Sequence, residues 1–163
     1  MDFEIDVSGE DLLSKNYTIC IANKEGSIIK GFKFNEELIS ILSARFGQGV
    51  YKNYQKSHKG KALFKVRLYC IVIYYLIKSI KFKGDLSLTI CRDFFGREID
   101  IKENLNYFLS FNLGMKPRIY FNRLNPESNA HKYAYLMRMD SKNKMDTYEN
   151  LNLEDIEKWL RKQ

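Results

Sequence analysis

Residues 2–34 decide the fold, through three runs: DFEIDVSGED (2–11), NYTICIAN (16–23) and SIIKGFKF (27–34). In the first, Phe3, Ile5 and Val7 alternate with Glu4 and Asp6, the period-two pattern of a strand with one apolar and one polar face. The other two are rich in β-branched and aromatic residues at strand length. They are joined through Lys24-Glu25-Gly26, where the glycine can take the positive φ of a tight hairpin. Three consecutive antiparallel strands are predicted.

Downstream, helices and strands alternate. Asn35 followed by Glu36 and Glu37 caps a helix whose apolar set is Leu38, Ile39, Ile41 and Leu42, ending at Gly47 and Gly49. Residues 51–61 are polar and basic without clean periodicity. A buried helix is predicted from Ala62 to about Ile80, although Ile71 to Tyr75 has strand propensity. LSLTIC (86–91) is a strand ending at Arg92 and Asp93, and Asp100 with Glu103 reads as a capping box opening a helix through Leu109. Pro117 precedes a short strand, RIYF (118–121). Asn125 and Pro126 read as a cap and first-turn proline, opening a helix across His131, Ala134, Leu136 and Met137.

Residues 141–150 read as a linker. Leu153, Ile156, Trp159 and Leu160 give the last helix an apolar stripe, which must dock on its own domain or on a second copy as a homodimer. The expectation is an α/β domain over residues 1–140, with linker and amphipathic helix over 141–163.

A chain of 163 residues with 45% hydrophobic and 29% charged side chains is enough for one substantial core and excludes collagen-like, mucin-like and wholly disordered classes. Cys20, Cys70 and Cys91 sit in apolar runs without CxxC spacing, which excludes a disulfide scaffold and a structural zinc motif. The acidic start lacks signal-peptide character. The longest apolar run, Leu68 to Ile77, is ten residues, too short to span a bilayer. A cytoplasmic protein without membrane contact is expected.

The net charge is +7, and between Lys52 and Lys83 there are nine Lys or Arg and no Asp or Glu. Such a field attracts a polyanion; a basic surface kept for solubility and an acidic protein partner are the other readings. Lys52, Lys56, Lys59 and Lys61 are the candidate phosphate contacts, and His58 belongs to the same surface. Tyr51 and Tyr54, interleaved with these lysines, are candidate platforms for an unstacked base; packing against the scaffold is the competing reading. RNA and DNA are not distinguished.

The order of three antiparallel strands, helical material, strand, helix, strand and helix resembles the ribonuclease H-like fold over roughly residues 2–139. The opening IDVSGED (5–11) is similar to the IDESGD-type opening of a family of nuclease-like proteins in that superfamily. AHKYA (130–134) resembles that family's late A-D-x-x-A helix signature, with His131 at the acid's position. The resemblance implies a mixed sheet with Asp6 as the first-strand aspartate and Asp93 as the carboxylate ending the fourth strand. The resemblance leaves Glu10, in the loop after the first strand, as the acid to complete the set. Glu127, expected four residues before His131 on one helical face, is the further candidate. Val7 departs from the family's acidic position, and the helix that usually carries a second carboxylate falls in the acid-free stretch.

In related enzymes carboxylates clamp two Mg²⁺ or Mn²⁺ ions around one phosphate. The implied metal ligands are therefore Asp6, Asp93, Glu10 and Glu127, and the implied catalytic residues Asp6, Asp93, Glu10 and His131, since an imidazole can ligate a metal or move a proton near neutral pH. Each has a plainer alternative: solvent exposure for Asp6, bracing of a turn for Asp93, an ion pair with Lys15 for Glu10, first-turn preference for Glu127 and a packing role for His131. The implied activity is divalent-metal-dependent hydrolysis of nucleic acid. An inactive domain of the same fold, binding nucleic acid or a protein partner, is the alternative.

Overall fold

A computed structural model of the chain describes residues 1–92 and 96–161. The three predicted strands form, as β1 (Asp2–Ser8), β2 (Thr18–Ala22) and β3 (Ile29–Lys33), with both strand pairs antiparallel. Then follow α1 (Glu36–Gly47), α2 (His58–Ile80), β4 (Leu86–Ile90), α3 (Glu98–Asn106) continued by a π-helical turn (Tyr107–Phe111), β5 (Pro117–Phe121), α4 (Asn129–Met139) and α5 (Leu153–Leu160). Both β1–β4 and β4–β5 pair in parallel, so the protein is α/β with one mixed sheet in the order β3-β2-β1-β4-β5.

The two faces of the sheet differ in the size of their side chains. Phe3, Ile5, Ile19, Ile21, Leu88 and Ile90 point to one face and form the main core with α2, α3 and α5. Cys20, Ala22 and Gly31 point to the other, where α4 lies over β1, β2 and β3 and offers Ala130, Ala134 and Met137. Small residues on both sides let the helix approach closely. At Gly31 a β-carbon would stand 2.5 Å from the Met137 thioether. The polar face predicted for β1 is therefore covered by α4, and Asp6 on it is only 3% exposed.

Several helix starts differ from the sequence expectation. Helix α2 begins at His58, capped by Ser57, whose hydroxyl accepts from the Gly60 N–H. Helix α3 starts at Glu98 without a side-chain cap, and Asp100 pairs with Arg97 at 3.5 Å, so the expected Asp100–Glu103 capping box does not form. Helix α4 starts at Asn129, capped by Ser128. Asn125 instead accepts from the Glu127 N–H, a local turn that competes with helix.

The segment expected to be a linker pairs with the sheet edge. Gly31 donates to the Thr147 carbonyl and accepts from the Glu149 N–H, both at 2.8 Å, which covers part of an otherwise open edge strand. Helix α5 then packs on its own domain. Ile156, Trp159 and Leu160 are buried, Arg67 of α2 donates to the Trp159 carbonyl, and the Trp159 indole donates to Tyr75. Its apolar stripe is satisfied within the chain and is not left for a second copy. No described helix is long and apolar enough to cross a membrane.

Candidate functional site

Strand β1 is central, and β1, β4 and β5 run parallel, so their carboxyl ends share one edge of the sheet. Ligands in sheets of this kind bind outside the carboxyl ends of the strands. Asp6 sits two residues from the end of β1, opposite Cys20 of β2. Its Oδ1 accepts the Val7 N–H at 2.8 Å, and its Oδ2 lies 2.8 Å from His131 Nδ1 on α4. The Asp6 side chain is 4% exposed and that of His131 51%.

The sequence of α4 explains how the histidine arrives there. The cap Ser128 accepts the His131 backbone N–H at 3.2 Å, fixing His131 in the first turn. The closely packed Ala130 and Ala134 seat that turn on the sheet. An ionised carboxylate only accepts hydrogen bonds, so opposite an ionised Asp6 the donor of the pair is His131 Nδ1.

Seven residues along the helix, Arg138 Nε donates to Ser8 Oγ at the end of β1, at 2.7 Å. Neither Arg138 nor Ser8 was singled out by sequence reading. The available signal was the three-and-four spacing of His131, Tyr135 and Arg138, which places them along one side of a helix.

Among the described residues, Glu10 and Glu127 do not join Asp6 and His131 in a group that could hold a metal. Glu127 precedes α4, so its expected i, i+4 relation to His131 on one helical face does not arise. Glu127 and Glu10 are both exposed, and no hydrogen bond or ion pair joins either to Asp6 among the described residues. Lys15 pairs with Glu36 at 3.8 Å rather than with Glu10. Asp93 lies outside the described residues. Among the described residues no three His, Cys, Asp or Glu side chains form a group that could hold a metal. Asp6 and His131 supply two donors.

The basic segment reaches the same edge. Lys65 of α2 pairs with Asp11, in the loop after β1, at 2.7 Å. Burial alone would raise the Asp11 carboxyl; hydrogen bonds from Lys65 and the Leu13 N–H, with the charges of Lys65 and Lys61, outweigh it and hold the group below its ordinary value. Arg92 spans the ends of β4 and β5, donating to the Phe121 carbonyl. Lys52, Lys56, Lys59 and Lys61 are all exposed, with Lys56 donating to the Gly47 carbonyl.

The two aromatic candidates differ. Tyr51 is 1% exposed, stacks on Phe64 and donates to Glu157 Oε2 at 2.8 Å; it has no face to offer a base. Tyr54 is half-buried with its ring edge on Phe64, and with Lys59 it lines a cavity of about 270 Å³. Two larger cavities, of about 440 and 520 Å³, lie along β3 and the 143–151 segment, and neither is lined by Asp6 or His131. The pairing of a buried carboxylate with an exposed imidazole, rather than cavity size, marks Asp6–His131 as the candidate site. No protein-family model, curated protein or solved structure matches the chain.

Proposed function

We propose that this chain is a ribonuclease H-like domain that hydrolyses phosphodiester bonds in nucleic acid, with Asp6 and His131 at its reactive centre. The fold reading is supported by the strand order β3-β2-β1-β4-β5, with an aspartate on the central strand. The observation that carries the function is the 2.8 Å contact between the buried Asp6 carboxylate and the half-exposed His131 ring.

A carboxylate on Nδ1 fixes the tautomer and orientation of an imidazole and leaves Nε2 basic. In this reading His131 Nε2 takes a proton from the water that attacks phosphorus, the P–O bond to the leaving sugar oxygen breaks, that oxygen takes a proton from solvent, and Asp6 stabilises the imidazolium formed. His131 is then the catalytic residue and Asp6 the positioning one. Arg138, Lys61 and Lys65 lie along the same edge and draw in the anionic backbone. Mg²⁺ or Mn²⁺, for which Asp6 and Asp93 are the proposed carboxylates, would lower the charge on the phosphate and acidify water. Two carboxylates leave most of the shell to water and phosphate, as hard divalent ions accept.

The test is a screen of labelled RNA, DNA and RNA–DNA hybrid with each ion, using wild type, Asp6→Asn and His131→Ala. Cleavage by wild type that disappears in both variants supports the proposal. Equal cleavage by all three proteins overturns it.

One observation favours a second reading, a domain of this fold that binds nucleic acid without cutting it. Both Asp6 oxygens already have partners, in Val7 and His131, while four lysines stand exposed between residues 52 and 61. Binding without cleavage under any ion, weakened by joint Lys56→Glu, Lys59→Glu and Lys61→Glu substitution, selects this reading.

A further inference from the structure

Helix α4 presents an exposed aromatic residue between the two cationic or polar groups of the candidate site. Tyr135 is 52% exposed. It lies one helical turn beyond His131, and the Arg138 guanidinium stands 5.9 Å from its ring centroid. Arg138 is itself held, its Nε donating to Ser8 Oγ at 2.7 Å, while its terminal N–H groups have no partner among the described residues. His131 is anchored by Asp6 through Nδ1. An accessible flat ring is thus flanked along one helix by an oriented guanidinium and an oriented imidazole.

About half of the Tyr135 surface is open to a ligand. Every nucleobase has a face that stacks on such a ring, and a guanidinium beside it pairs with phosphate. The +7 net charge of the chain favours an anionic occupant over an acid-poor protein surface. We infer that Tyr135 is a base-stacking platform for single-stranded nucleic acid, with Arg138 holding an adjacent phosphate beside His131. This deepens the proposed function: it identifies the substrate as an unpaired strand and gives α4, rather than the Tyr51–Tyr54 segment, the stacking role.

The experiment compares binding of oligothymidylate, oligouridylate and an abasic oligomer of equal length and charge, by fluorescence anisotropy in metal-free buffer. Wild type is expected to bind one of the base-bearing strands about tenfold more tightly than the abasic one, the scale of one stacked base. Tyr135→Ala should remove that preference and Tyr135→Trp should keep it. Arg138→Gln should weaken all strands alike and reduce the salt slope by about one. Replacing an exposed helical tyrosine by alanine improves helix propensity, so loss of folding does not confound the readout. Equal affinity of wild type for base-bearing and abasic strands overturns the stacking role while leaving the nucleic-acid function standing. Failure to bind any strand overturns both, and self-association of wild type that Tyr135→Ala abolishes would assign the exposed ring to a second copy instead.

Discussion

Asp6 and His131, 125 residues apart in the chain, meet at 2.8 Å where β1 passes beneath the first turn of α4. With 4% of its side chain exposed, Asp6 depends on that contact and on the Val7 N–H for its solvation. Leaving a buried charged acceptor short of a partner costs about 1–3 kcal/mol or more. His131→Ala is therefore expected to lower stability by that amount in urea unfolding, and His131→Asn, which restores a donor, to recover part of it. An alanine variant as stable as wild type would show that the pair contributes nothing to the fold.

Helix α5 is fastened by a carboxylate. Glu157 is paired with Arg45 of α1, accepts from Tyr51 at 2.8 Å and lies 3.4 Å from Arg161. Burial would raise its carboxyl, but the hydrogen bonds from Arg45 and Tyr51 and the charges of Arg45 and Arg161 hold it below the ordinary value. A carboxyl lowered by folding stabilises fully above its unfolded pKa, about 4.3 for glutamate, and that contribution is lost as pH falls through the folded value. Glu157→Gln should therefore reduce stability at neutral pH by about 1–3 kcal/mol. The gap between variant and wild type should close as the pH falls below about 4. A gap constant from neutral to acid pH would contradict the assignment.

Gly60 sets geometry against propensity. It lies in the first turn of α2, where alanine is normally better by about 1 kcal/mol. A β-carbon there would stand 1.8 Å from the Gln55 backbone carbonyl, so the chain entering the helix must move. Gly60→Ala should destabilise the protein by about 1–3 kcal/mol, the usual cost of overpacking. A stabilised variant in thermal melts would mean that the segment before α2 does not pass so close.

The three cysteines form no disulfide, and Cys20 is fully buried opposite Asp6. Burial, with the negative charge of Asp6, pushes its thiol up to about 12, and burial raises Cys70 as well. Only the thiolate reacts at a useful rate. Neither residue should be alkylated by iodoacetamide at pH 8 in the native protein, and both should react in guanidinium, as peptide mass mapping would show. Native-state labelling of Cys20 would place it outside the β1–α4 interface.

The strands were legible because β1, β2 and β4 carry local signals, alternation in DFEIDVS and β-branched runs in TICIA and LSLTI, that their packing reinforces. Helix starts were less legible. Ser128 rather than Asn125 caps α4 because Asn125 is engaged in a turn with Glu127, a competition between two local hydrogen bonds of similar strength. That three-residue shift is also why Glu127 does not join His131 on one helical face. Asp6 and His131 were both legible as candidates, whereas their direct contact depends on the small residues Cys20 and Ala22 beneath α4 and Ala134 on it, a packing property with no local signature. For Tyr51 the competing reading holds, packing against the scaffold, because a basic, polar neighbourhood in sequence conceals a ring that faces inward to Phe64 and Glu157.

The central claim is that Asp6 makes His131 a base for phosphodiester hydrolysis. It is tested most directly by the single-turnover cleavage rate of Asp6→Asn relative to wild type at saturating protein, with strand affinity measured in parallel. The amide keeps the size of the side chain but no longer fixes the imidazole tautomer. A rate loss of about a hundredfold or more, the scale of general-base catalysis, is expected, with affinity unchanged. Cleavage at the wild-type rate by the variant would contradict it.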